Sequence, residues 1–149
     1  RTIPILEFHR LPGDTPHIDT NLGLDEIITS IDLPAQGFSR KYTYLKIRDR
    51  ASYAFALVSV AAALDMEGNT IKEARIALGG VAHKPWRKPE IEAMLAGKEV
   101  NPENFKEVAE ALLMEAKGFG YNDFKIELAK RTIVRALLQA ANTEEVGSS

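Results

Sequence analysis

The chain has 149 residues, 45% of them hydrophobic and 27% charged, and a formal net charge of −2. That suits a single domain with a sizeable core, and the near-neutral balance excludes a global field that would draw it onto nucleic acid or an anionic membrane. There is no cysteine, which excludes a disulfide framework, a thiolate nucleophile and a cysteine-ligated iron–sulfur cluster within these residues. No apolar run is long enough to span a bilayer, the longest, 54–64, being interrupted by Ser59. The sequence opens on Arg1 rather than Met and no signal-peptide pattern follows, which reads most simply as a piece of a longer or processed chain.

Residues 1–20 hold Pro4, Pro12 and Pro16 and a Pro-Gly-Asp turn signal at 12–14, an irregular segment that runs over a neighbouring surface. From Glu26 to Leu33 apolar and β-branched residues alternate, with Ile27, Thr29, Ile31 and Leu33 on one face, predicting a half-buried strand ended by Pro34. After a turn at Gln36-Gly37, residues 40–48 alternate again, with Tyr42, Tyr44 and Lys46 opposite Thr43, Leu45 and Ile47, predicting a second strand. The alanine-rich run 54–66 favours helix by propensity. The turn signal Glu67-Gly68-Asn69 and the strand-like 70–78 behind it favour a hairpin, with 55–65 as its first strand.

Gly79-Gly80 ends the strands, in the manner of a tight turn. A short helix spans 90–96 between Pro89 and Gly97. Asn101-Pro102-Glu103 starts a longer helix, with a capping residue, a proline at the first position and an acid in the first turn. Its buried stripe is Phe105, Val108, Ala109, Leu112, Leu113 and Ala116. Gly118-Phe119-Gly120 breaks that helix. A last one, capped by Asn122, buries Ile126, Ala129, Ile133, Val134, Leu137 and Leu138 and frays after Ala141. Strands first and helices last make an α+β fold: a small antiparallel sheet of three to four strands packed on about three helices.

Chemistry is sparse. His9, His17 and His83 have no metal-ligand spacing, and no nucleophile arrangement, catalytic set or phosphate-cradling glycine loop occurs. The acid pairs Asp25-Glu26 and Glu144-Glu145 read as solvated surface, and Trp86 in its proline-rich loop as a hydrophobic plug. Residues 40–50 stand apart, with five basic residues and one acid interleaved with Tyr42 and Tyr44. Tyr42, Tyr44 and Lys46 on one strand face suit a flat, electron-rich or anionic ligand. An exposed sheet face with snorkelling basic chains gives the same pattern.

The stretch Tyr44-Leu-Lys-Ile-Arg-Asp-Arg-Ala-Ser-Tyr-Ala-Phe-Ala-Leu-Val-Ser-Val-Ala62 closely resembles the start of the C-terminal domain of FAD-binding subunits in the molybdenum hydroxylase family, which spans xanthine dehydrogenases, carbon monoxide dehydrogenases and aldehyde oxidoreductases. Asp25–Pro34, Ala74–Ala82 with Lys84-Pro-Trp-Arg87 and Glu92–Gly97, and Tyr121–Leu138 agree with that domain in order and spacing. The resemblance covers about residues 1–140 and is strongest to the flavin subunit of bacterial periplasmic aldehyde oxidoreductases. It implies a CO dehydrogenase flavoprotein C-terminal-like domain at 21–141 and a tail at 142–149. It also implies that 1–20 is the exit from an N-terminal FAD-binding domain that these residues do not include.

In the family, electrons from a molybdenum cofactor pass through iron–sulfur clusters, both in partner subunits, to FAD. The implied partners are therefore the FAD-binding domain of the same subunit, the iron–sulfur subunit and the molybdenum-cofactor subunit, in a soluble cytoplasmic or periplasmic assembly. No nucleic acid and no membrane span are implied. This domain would cover the flavin ring without being catalytic by itself, and would not retain FAD alone. Carried over by position, Ile28 contacts the isoalloxazine, Lys46 binds at its polar edge, Tyr44 lies near the ring, and Arg50 and Tyr53 sit on the neighbouring loop. Family members often have an acid near Tyr53 and this sequence does not, which changes the electrostatics at that corner. A cation at the ring edge stabilises added negative charge and so raises the flavin's potential. Two other classes stay open: an assembly module without flavin contact, and a nucleic-acid binder using the basic 40–50 face, which the net charge disfavours.

Overall fold

The structure is a computed structural model, and it describes residues 1–33, 38 and 40–143. A short helix, α1 (Ile5–Phe8), lies in the opening segment. Three strands follow, β1 (Tyr42–Ile47), β2 (Val58–Glu67) and β3 (Thr70–Gly79). Next comes α2 (Pro89–Glu92), continued by a 3-10 turn at Ala93–Leu95, and then α3 (Pro102–Leu112) and α4 (Phe124–Ala141). The strands form one antiparallel sheet in the order β1-β2-β3, so the expected α+β architecture is the one observed.

The alanine-rich run is a strand. Gly68 and Asn69 make a two-residue hairpin turn, closed by the pair Glu67 and Thr70. Gly68 takes φ +59 while Asn69 stays in the negative region, the type II′ pattern that glycine allows and that matches strand twist. Pairing on both sides overrides the helix propensity of the alanines. Val58, Val60, Ala62 and Leu64 of β2 point inward with Ile71, Ala74, Ile76 and Leu78 of β3. Phe105, Val108, Ala109 and Leu112 of α3, and Ala129, Ile133, Ala136, Leu137 and Ala140 of α4, close over them.

Asn101 caps α3 as expected, its side chain accepting from the Glu103 amide at 2.8 Å. Asn122 does not cap α4. That helix starts behind Asp123, and the Asn122 carboxamide accepts from the Phe119 amide at 2.6 Å, bracing the glycine break instead.

The free edge of β3 is covered piecewise. Trp86 exchanges two backbone hydrogen bonds with Leu78, and residues 97–98 exchange two with Ile71. Between them the Ile76 amide donates to Glu92 Oε1 at 3.0 Å. Glu92 is only 4% exposed and takes both donors of Arg87 at 2.8 Å. This carboxylate therefore ties α2 and the 81–88 loop to a sheet edge that would otherwise present bare polar groups. Trp86 is the expected plug: partly buried against the core, with its indole N–H donating to the Leu112 carbonyl at the end of α3.

The strand expected at 26–33 is not formed. No secondary structure is assigned to these residues and no described strand pairs with them, and Ile27, Ile28, Ile31 and Leu33 are exposed. Alternation makes a strand only where a neighbour supplies a ladder and a surface to bury against. The turn expected at Gln36-Gly37, Pro34, and Glu144-Glu145 of the tail lie outside the described residues. Glu26 is not simply solvated surface. It accepts two hydrogen bonds from Arg1, at 2.7 and 2.6 Å, and one from the Gly23 amide. Those contacts and the His9–Thr20 bridge fold residues 1–26 back on themselves.

Candidate functional site

Strand alternation makes the other face of the sheet. Tyr42, Tyr44 and Lys46 of β1 stand opposite Ala63, Ala61 and Ser59 of β2, which stand opposite Arg75, Ala77 and Gly79 of β3. The middle of this face is paved with small side chains, and along β1 two tyrosines and a lysine rise above it. No helix covers it among the described residues, and Tyr42 and Tyr44 are 58% and 64% exposed. At the hairpin end Arg75 pairs with Glu73 at 3.0 Å and lies over the Phe38 ring at 4.4 Å. At the other end Lys46 is exposed and has no hydrogen bond or ion pair among the described residues.

The basic run at 40–50 thus divides by strand parity and by tertiary role. Lys41 turns away and donates to the carbonyls of Ala141 at 3.0 Å and Thr143 at 2.6 Å, satisfying the end of α4. Arg50 spends its donors on the Tyr53 carbonyl, Nε at 3.1 Å and one Nη as well. This holds the loop between β1 and β2 in a tight bend where Tyr53 takes φ +50. A tyrosine in the left-handed region costs on the order of 1–2 kcal/mol, and its ring is left 94% exposed.

Of the five residues singled out from sequence, Lys46 and Tyr44 share the open face, and Arg50 and Tyr53 are joined on the loop that follows it. Ile28, 57% exposed, lies on the segment before β1 and has no bridge or ladder to the sheet. The small-residue paving was missed. Its sequence signal was every second residue of the alanine-rich run, legible only once that run is known to be a strand.

Gly79-Gly80 is a close approach more than a turn. A Cβ on Gly79 would come within 2.6 Å of Ser59 Oγ, and Gly80, at φ +75, packs against the Ala56 and Leu57 carbonyls. A groove of about 1040 Å³ lies between α3 and α4, lined by Lys106, Glu110, Lys130, Arg131, Val134 and Leu138 among others. It contains none of the residues of the sheet face. Among the described residues no group of three or more metal-ligating side chains could hold a metal ion. No helix among them is long and apolar enough to cross a membrane.

A three-stranded antiparallel sheet backed by helices on one side and, among the described residues, left open on the other defines the class. Residues 42–140 match the CO dehydrogenase flavoprotein C-terminal domain, and the chain belongs to that family. It is 44% identical over 140 residues to the aldehyde oxidoreductase FAD-binding subunit PaoB of Escherichia coli (strain K12), covering 94% of this chain and 41% of that one. It is 38% identical over 110 residues to the glyceraldehyde dehydrogenase medium chain of Sulfolobus acidocaldarius, covering 73% and 36%. Among solved structures, carbon monoxide dehydrogenase from Hydrogenophaga pseudoflava superposes with a TM-score of 0.64 at 28% identity, over 72% of this chain and 39% of that chain. The chain spans less than half the length of the curated relatives it matches.

Proposed function

We propose that this chain is the C-terminal domain of the FAD-binding subunit of a molybdenum hydroxylase, and that the open sheet face covers the flavin ring. The single observation that carries the reading is that face: a floor of Ala61, Ala63, Ala77 and Gly79 beside Tyr44, with Lys46 unpaired at its end. A flat ring needs a flat floor, and alanine and glycine side chains leave room for one against the sheet. When bound, the flavin supplies the electron relay, accepting electrons from iron–sulfur clusters and passing them on. The chain's own residues position the ring and exclude water from it. Tyr44 offers an aromatic flank, and Lys46 a point charge at the polar edge. Arg50 holds the adjoining loop through the Tyr53 carbonyl, so its part is positioning.

The unpaired segment 24–33 and the opening hook each expose large apolar side chains, among them Ile5, Leu6, Leu11, Ile27, Ile31 and Leu33, of the kind that dock against other protein. The occupants proposed for them are the N-terminal domain of the same subunit and the iron–sulfur and molybdenum-cofactor subunits. No phosphate-cradling loop occurs in these residues, and such backbone donors ordinarily anchor much of a dinucleotide's affinity. The domain by itself therefore neither retains FAD nor turns over substrate. The test is to titrate the FAD-loaded N-terminal domain with this chain and record the flavin absorption bands. Displaced bands with saturable binding support a cover over the ring; binding with unmoved bands reduces the chain to an assembly module.

A further inference from the structure

The corner of the open face nearest Lys46 holds a polar group outside the roles assigned above. Ser59 is 6% exposed, yet its hydroxyl has no hydrogen-bond partner among the described residues. Every fully occluded side-chain polar atom among those residues does have a partner, so the Ser59 oxygen reaches the surface. Its direction is fixed by Gly79: a Cβ there would meet only Ser59 Oγ, at 2.6 Å. The hydroxyl therefore lies over the open face, in space that exists because residue 79 has no side chain. Ser59 is also the cross-strand partner of Lys46, and directly opposed residues on one sheet face have Cβ atoms about 5 Å apart.

The hydroxyl is a donor with no protein acceptor among the described residues, open to the face, and it stands beside an unpaired cation. The floor from Ser59 to Ala63 runs about 13 Å at a strand rise of ~3.3 Å per residue, so the two donors sit at one end of a platform suited to a fused-ring ligand. We infer that the Ser59 hydroxyl is a second donor beside Lys46, and that the two together grip one acceptor-bearing edge of the planar ring on this face. In the reading above, on which this inference rests, that ring is the flavin. The hydroxyl donates to a ring carbonyl or unprotonated ring nitrogen, and Lys46 supplies charge to the same edge. Gly79 is required because any side chain there displaces the hydroxyl.

The experiment uses the complete FAD-binding subunit and measures FAD dissociation and the flavin absorption bands for Ser59→Ala, Lys46→Met, the double variant and Gly79→Ala. Ser59→Ala is expected to weaken FAD binding about two- to tenfold, the range of one neutral hydrogen bond, and to displace the bands. In the double variant the losses should be less than additive, since both donors serve one edge. Gly79→Ala should reproduce the Ser59→Ala spectrum, and adding it to Ser59→Ala should change nothing further, because the oxygen it would strike is gone. Thermal unfolding of each variant separates these effects from misfolding. If Lys46→Met moves the bands while Ser59→Ala and Gly79→Ala do not, the two-donor grip is overturned and the covering face survives. Strictly additive losses overturn the shared edge. If neither donor moves the bands or the affinity, the covering face fails along with the grip.

Discussion

The two faces of one sheet differ in what is done with the same backbone. On the inner face Val58, Val60, Ile76 and Leu78 are buried in one core with residues of α3 and α4. On the outer face their strand neighbours Ser59, Ala61, Ala77 and Gly79 are small, lie under no helix among the described residues and are flanked by tyrosines. The inner face maximises buried apolar area and hence stability. The outer gives up that contribution, leaving room for something flat. Mutations should therefore separate cleanly, those inward changing stability and those outward changing binding.

The largest effect belongs inside. Phe105→Ala removes a fully buried ring and should cost about 3–5 kcal/mol by the usual core-truncation penalty, measured by denaturant unfolding. A loss under about 1 kcal/mol would mean that the packing between α3 and the sheet is not as described.

Next is the tie between the loop and the sheet edge. The hydrogen bonds that Arg87 donates to the Glu92 carboxylate hold the guanidinium's proton more tightly than usual, against the opposing effect of partial burial. Arg87→Met should cost roughly 2–3 kcal/mol, because it strands a buried carboxylate; the usual penalty for breaking a buried pair is discounted because Arg87 keeps some solvent contact. Hydrogen exchange at the Ile76 and Leu78 amides should accelerate with it. Unchanged exchange there would show that Glu92 is not what closes the β3 edge.

On the outer face, Lys46→Met should leave unfolding nearly unchanged, since the methionine keeps the aliphatic stem. In the complete subunit it should lower the flavin midpoint, by about 20 mV for each ~1 kcal/mol of lost stabilisation of the two-electron reduced form. Coincident redox titrations of wild type and variant would remove Lys46 from the site.

The smallest effect concerns the opening hook. Arg1, with the Gly23 amide, holds the Glu26 carboxyl below the ordinary glutamate value. A depressed folded-state value stabilises the hook above the ordinary one, and that contribution fades as pH falls through the depressed value. Exchange of the Gly23 and Glu26 amides should therefore quicken only on acidification below the ordinary range. A flat profile there would show that the ion pair does not hold the hook.

How much of this was legible in the sequence depends on whether the deciding partner was local. The start of α3 at Asn101-Pro102 and the hairpin turn at Gly68-Asn69 are short-range chemistry, and each stands where the residues put it. So does the shared face of Tyr44 and Lys46, which strand parity alone dictates. Helix α3 itself stops at Leu112, short of the break expected at 118–120, so Ala116 of the expected stripe lies beyond the helix. Tertiary structure decided the rest. An equally good alternation became a strand at 42–47 and an unpaired segment at 26–33, because a ladder needs a second strand and, among the described residues, only β1 found one. Neighbouring basic residues parted in role because the end of α4 comes within reach of Lys41 and not of Lys46. Ser59, in sequence an interruption in an apolar run, became a surface donor only when β3 placed a glycine beside it. Periodicity states which way a side chain points; what it meets there depends on residues far along the chain.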